Sequence, residues 1–240
     1  MADIFDYISW RGDLTFEQDG FNELDALVLS RLSYLPFDGA VSSCLFDEIT
    51  LEQAAMRVFA TDDYEKNILW KGDVDLLKAT AESKRFGKIL VSGYVNEVES
   101  DVSMHIDYIY NFDGPGFSLD KIRDSGFYEI DDRIYTFVPQ SSIFGMIFEH
   151  EESYTIVKSN QKGFLQHDIY SWEIEQNSLI RLKSTTNFSV FFDHTLKEFV
   201  ESLTIAQRRE FTKEVFALLS LTETSTFNEM LKNPLKNTGT

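Results

Sequence analysis

From Lys88 onward the chain alternates strand-like and turn-like text in an order that few folds accommodate. Residues 88–98, with Ile89, Val91, Tyr94 and Val95, read as a strand. A second strand is expected over residues 106–110, joined to the first through the acidic, Ser-containing residues 99–103. Asp113-Gly114-Pro115-Gly116 is turn chemistry, Ser118 is a cap for a short helix ending at Gly126, and residues 133–138 read as the next strand. Strand, loop, helix, strand is the order of an α/β fold, because parallel strands need a crossover and a helix is the usual one. Residues 154–158 and 172–174 are further strands, with residues 178–182 placed to pair with 172–174.

Helical spacing dominates the flanks. Asn22-Glu23-Leu24-Asp25 opens a helix in which Leu24, Leu27, Val28, Leu32 and Leu35 share a face up to Pro36. Thr50-x-x-Gln53 is a capping-box pattern for a helix through Phe59, and Asp73 is expected to cap another running to Lys84 and closed by Gly87. Near the C-terminus, Asp193 caps a helix bearing Leu196, Phe199, Val200 and Leu203. Thr204-x-x-Gln207 opens a last one with Phe211, Val215, Leu218 and Leu219 on its apolar side. The expected architecture is a short mixed sheet flanked by N- and C-terminal helices, a single domain over residues 1–232 followed by a disordered tail, 233–240.

Charge narrows the partners. The chain carries 22 Lys and Arg against 40 Asp and Glu, a formal net charge of −18. The excess is concentrated in residues 1–120, with 9 basic and 23 acidic groups, against 13 and 17 in the remainder. Such a field repels phosphate backbones, so no nucleic-acid partner is expected, and the acidic surface is read as a solvated one. The single cysteine, Cys44, forms no internal disulfide and belongs to no Cys-x-x-Cys pair, which suits a reducing, cytoplasmic home. It reads as a small buried residue before a reactive thiol. The N-terminus lacks a basic, then apolar, leader pattern. The longest stretch free of charged residues, 134–148, is shorter than the roughly 18 residues of a spanning helix, so no membrane span is expected.

Glycine spacing removes several chemistries. The glycines stand at 12, 20, 39, 72, 87, 93, 114, 116, 126, 145, 163 and 239. No two are four apart, so the chain holds no Gly-x-Ser-x-Gly nucleophile elbow; no two are five apart, so it holds no P-loop. Gly114-x-Gly116 lacks the third glycine of a dinucleotide fingerprint, and no cofactor is expected. His150-Glu151 has no second histidine four residues on, and the many acids are not spaced as a metal site, so no metal is expected either. Residues 137–172 are the chemically dense part. His167, followed by Asp168, is a loop histidine whose titration range suits proton transfer; the alternative is a hydrogen-bonded structural histidine. Ser141 and Ser142 are nucleophiles only if an outside base reaches them, and otherwise cap the turn after Pro139.

Several stretches are similar to a known family: FDYISWRGDLTF from Phe5, FNELDALVLSRLSYL from Phe21, SKRFG at Ser83, SGYVNE at Ser92, YNFDGPGF at Tyr110, and FVPQSSIFGM through QHDIYSWE. Together, as far as about Leu221, they resemble the bacterial Mbeg-like domain, a domain of unknown function regarded as having a class 3 lipase-like α/β-hydrolase fold. The resemblance implies an abbreviated α/β-hydrolase-like fold. In that family a Phe-Arg-Gly-Thr-like strand and a Gly-x-Ser-x-Gly-type elbow lie between the SGYVNE and DGPGF regions. Here the two flanks meet within residues 99–107. What remains has the chain order of the rest of a triad. Asp113 is carried over as the acid and His167 as the base, although Phe112 stands where the family has a polar residue. Asp113 also reads as a turn residue held through its own backbone.

The resemblance therefore implies a serine-hydrolase relative that is catalytically inactive for want of the elbow, binding a small molecule or a protein. The alternatives are an esterase or lipase-like hydrolase with Ser141, Ser142 or a second chain's segment as nucleophile, and an internal-deletion product without function. Loss of a central strand exposes sheet edges, which favours self-association.

Overall fold

The computed structural model describes residues 2–35, 37, 48–60, 71–92, 107–116, 128, 130–142, 145, 150, 152–185, and the single or short positions 199, 202–204, 207 and 210. Helix α1 (Ile4–Arg11) starts at Asp3, whose carboxylate accepts from the backbone N–H groups of Phe5 and Asp6 while Asp6 reaches back to Asp3 N. Asn22 and Asp25 make the same reciprocal pair at the start of α2 (Glu23–Leu32), where four otherwise unpaired N–H groups need acceptors. The expected apolar face is the buried one: Leu24, Leu27, Val28 and Leu32 have at most 4% of their surface exposed.

A short strand β1 (Glu48–Thr50) leads into α3 (Leu51–Phe59) through the Thr50–Gln53 capping box. Helix α4 (Lys71–Glu82) begins two residues before Asp73, so Asp73 is a residue of its first turn and not its cap. Its carboxylate is buried and takes two bonds from Arg31 and one from Tyr170. Strand β2 (Leu90–Ser92) pairs antiparallel with β1; the rest of the strand expected over 88–98 lies outside the described residues.

The main sheet has four strands in the order β3 (Ile109–Phe112), β4 (Ile134–Pro139), β5 (Tyr154–Val157) and β8 (Arg181–Leu182). The first three run parallel and β8 runs antiparallel to β5. Between β5 and β8 lies a two-stranded hairpin, β6 (Ile174–Glu175) and β7 (Ser178–Leu179). Residues 178–182, expected as one partner for 172–174, are thus divided: β7 returns to β6, and β8 crosses to the main sheet. The cause is backbone pairing at Ile180, whose N–H goes to Glu173 O while its C=O accepts from Lys158 N. Gln176, at φ 56°, makes the tight turn of the hairpin.

One sheet face carries Phe112, Phe137 and Val157 into the core, with rings 112 and 137 stacked at 5.4 Å and Trp172 set edge-on to Phe112. Strand alternation puts Asn111, Thr136 and Val138 on the other face. This is an α/β fold with a short mixed sheet and N-terminal helices. Among the described residues no helix is long and apolar enough to cross a membrane. Thr204 and Gln207 exchange the expected capping bonds. The helix from Asp193, the body of the last helix, the helix from Ser118, Cys44 and the tail at 233–240 lie outside the described residues, apart from isolated positions such as Phe199.

Candidate functional site

In an open sheet with parallel strands, ligands bind beyond the carboxyl ends of the strands, where successive loops converge. Here that end carries Asp113 after β3, Ser141 and Ser142 after β4, and the loop bearing His167 after β5. The backbone itself joins them: Asp113 N donates to Phe137 O at 2.8 Å, and Gln140 N to Val157 O at 3.0 Å.

Asp113 is the centre. It is 1% exposed and sits at φ 54°, a left-handed conformation that Asp and Asn adopt more readily than other side chains. Three groups converge on its carboxylate. Ser142 Oγ donates to Oδ1, Gly145 N donates to Oδ1 at 3.0 Å, and His167 Nδ1 lies 3.0 Å from Oδ2. Only glycine fits at 145: an added Cβ would lie 2.7 Å from Val138 Cγ1 and 2.9 Å from Ser142 Oγ, and would press on the carboxylate itself. Gly114 N donates to Asn111 Oδ1 at 2.9 Å, which closes the turn around the acid.

His167 ends a 3-10 turn, Gly163–His167, and its side chain is 42% exposed while its carboxylate partner is buried. The loop that carries it leaves and rejoins the sheet at one place. Glu173 N donates to Lys158 O at 2.8 Å, Asn160 N to Ser171 O at 2.9 Å, and the Ser159 and Ser171 hydroxyls lie 2.7 Å apart. Gln140 clasps Ser159 with both ends of its amide, at 2.8 and 2.7 Å. Asp168 caps the following turn by accepting from Tyr170 N; burial pushes its carboxyl up despite that bond and the nearby Arg31. Tyr170 in turn stacks on Phe5 and donates to Asp73, fixing the loop to α1, α2 and α4.

The sequence-derived residues Asp113 and His167 are thus brought together, with Ser142 on the far oxygen of the acid. Ser141 is half-buried, with its backbone N–H on Gln166 Oε1 at 2.8 Å.

A second histidine–carboxylate pair lies nearby in the sequence without a motif to mark it. His150 Nδ1 lies 2.8 Å from Glu152 Oε1, which also accepts from Thr136 Oγ at 2.7 Å. Both side chains of the pair are 6% exposed, and His150 Nε2 is buried with no hydrogen-bond partner among the described residues. Burial acts to push the Glu152 carboxyl up. The bonds from His150, Thr136 and its own backbone outweigh burial and leave it below the usual carboxylate range. A carboxylate lowered on folding contributes stability above its unfolded pKa of about 4.3, and that contribution is lost as pH falls through the lower folded value. Glu152→Gln should therefore cost about 2 kcal/mol at pH 7. The gap to wild type should close on acidification below about pH 4 in urea melts run across pH; a gap independent of pH would contradict the charge-assisted bonds. No group of three or more metal-ligating side chains occurs among the described residues.

A buried acid and a half-exposed histidine at the carboxyl ends of parallel strands define the class: an α/β domain with an acid–histidine pair. The family model described as Mbeg1-like matches residues 93–217, just over half of the chain, and the chain belongs to that family. The match takes in Asp113, Ser142, His150 and His167; the stretches from Phe5, Phe21 and Ser83 precede it. No curated protein and no solved structure matches the chain.

Proposed function

We propose that this chain is a hydrolase-like domain of lipase type that keeps the acid–histidine half of a triad, carries no acyl-transfer nucleophile, and binds a small molecule or protein in a reducing compartment. The observation that carries the reading is the direction of the Ser142 hydroxyl. A nucleophilic serine must hand its proton to the imidazole, whereas Ser142 Oγ donates to the carboxylate oxygen that faces away from His167. With Ser142 engaged on the acid and no Gly-x-Ser-x-Gly spacing anywhere in the chain, the pair has an orienting acid and a base but no elbow serine to attack.

The second reading is an esterase that uses Ser141, which neighbours Ser142 and is bonded through its backbone to the residue before His167. Short-chain nitrophenyl esters separate the two. The proposed function predicts turnover no faster in wild type than in His167→Ala; turnover abolished by both His167→Ala and Ser141→Ala would establish the esterase. An internal-deletion product without evolved function predicts a non-cooperative melt and aggregation, whereas a binding domain predicts a single transition.

A further inference from the structure

We propose that Gln166 is a positioning residue that sets the Asp113–His167 pair by closing a ring of side chains through the β4 turn. This rests on the reading of that pair as the retained acid and base. Gln166 is 1% exposed, and each of its polar groups has a different anchor. Its Oε1 accepts from Ser141 N at 2.8 Å, its Nε2 donates to Gln161 O at 2.6 Å, and its own carbonyl accepts from Trp172 Nε1 at 2.7 Å.

The first of these bonds has a particular consequence. Ser141 is followed by Ser142, whose hydroxyl holds Asp113, and Asp113 holds the histidine that follows Gln166. The path from Gln166 through Ser141, Ser142, Asp113 and His167 therefore returns to its start. The histidine ring is half-exposed, and a side chain so placed has rotamers to lose on ordering. A closed ring supplies that order from behind: the loop carrying the base and the turn carrying the acid's donor move only together. A glutamine suits the position because it offers an acceptor to one backbone and a donor to another while adding no charge to a buried site.

The test is the Nδ1 proton of His167, observed as a downfield proton resonance in a 15N-labelled sample and assigned by its loss in His167→Gln. In Gln166→Met, which removes both amide bonds and keeps the volume, the expected result is a cooperative melt with exchange of that proton with water accelerated roughly tenfold, or the signal lost. A folded Gln166→Met variant with an unchanged resonance would overturn the inference. Native-state exchange in the wild type gives the same answer without a variant. The ring predicts that the His167 Nδ1 proton is protected no better than the Ser141 amide, and a Ser141 amide that exchanges freely beside a protected Nδ1 proton would overturn it even if Gln166→Met failed to fold. Absence of any such resonance from the wild type would instead defeat the acid–histidine reading itself.

Discussion

Replacing Arg85 by Met should destabilise the protein by about 3–5 kcal/mol, the range for removing one partner of a buried ion pair. For a chain of this size that is a drop in Tm on the order of 10 °C. Arg85 and Asp25 are both fully buried and joined by two bonds, Nε to Oδ1 at 2.6 Å and a terminal nitrogen to Oδ2 at 2.5 Å. Two further guanidinium N–H groups donate to Asp19 O and Gly20 O, and the guanidinium carbon lies 4.4 Å from the centre of the Phe16 ring. Tyr7 donates to Asp25 Oδ1 and accepts from Asn22. Burial, then the Asp25 charge, pushes the Tyr7 phenol up, which keeps it a donor. Methionine fills much of the volume but leaves the Asp25 charge desolvated, with only Tyr7 and the helix cap to hold it. Arg85→Lys keeps the charge and loses the planar fork, so it should fall between wild type and Met. Circular-dichroism melts of the three proteins check this, and a loss below about 1 kcal/mol in Arg85→Met would contradict the cluster's part in tying α1, α2 and the end of α4 together.

The second large effect is at Asp113. Asp113→Ala removes the acceptor for Ser142 Oγ and Gly145 N, both buried, and places alanine in a left-handed conformation. The expected cost is about 3 kcal/mol from the stranded donors and the backbone together. Asp113→Asn separates structure from chemistry. Its amide oxygen serves the same two donors and Asn tolerates the same φ, so stability should change by less than about 1 kcal/mol. Its NH2 group then faces His167 Nδ1, which must become an acceptor, so the imidazole switches its proton to Nε2. Nitrogen-15 shifts of the ring report the tautomer directly. An Asn variant with the wild-type tautomer would show that the carboxylate does not orient the ring, and an Ala variant as stable as the Asn variant would show that Asp113 does not hold Ser142 and Gly145.

The parts of this arrangement were unequally visible in the sequence. Helices α2 and α3 stood out because their caps and apolar faces agree, and β4 and β5 because their apolar runs are bounded by turns. Helix α1 is hard to read because its capping box is built from Asp3 and Asp6, whereas the usual pattern ends in Glu or Gln. Asp73 reads as a cap because an acid in a first turn and an acid at a cap look alike in text; its partner Arg31 is 42 residues distant. Strand β1 is three residues long, too short for a period. Asp113 and His167 were legible through chain order and the family's motifs. His150 and Glu152 were not: in the run Glu149-His150-Glu151-Glu152 alternate residues look solvated, and only Thr136, from a neighbouring strand, shows that Glu152 is buried and bonded. Gln166 was similarly hidden, since nothing local marks a glutamine whose partners lie 25 and 5 residues away.

The most direct measurement of the central claim is the intact mass of the purified chain after exposure to a fluorophosphonate, which reacts with activated serine nucleophiles. An acid–histidine pair without an attacking oxygen predicts the mass of the unmodified protein in both wild type and His167→Ala. A stoichiometric adduct on a serine of the wild type that disappears in His167→Ala would contradict it.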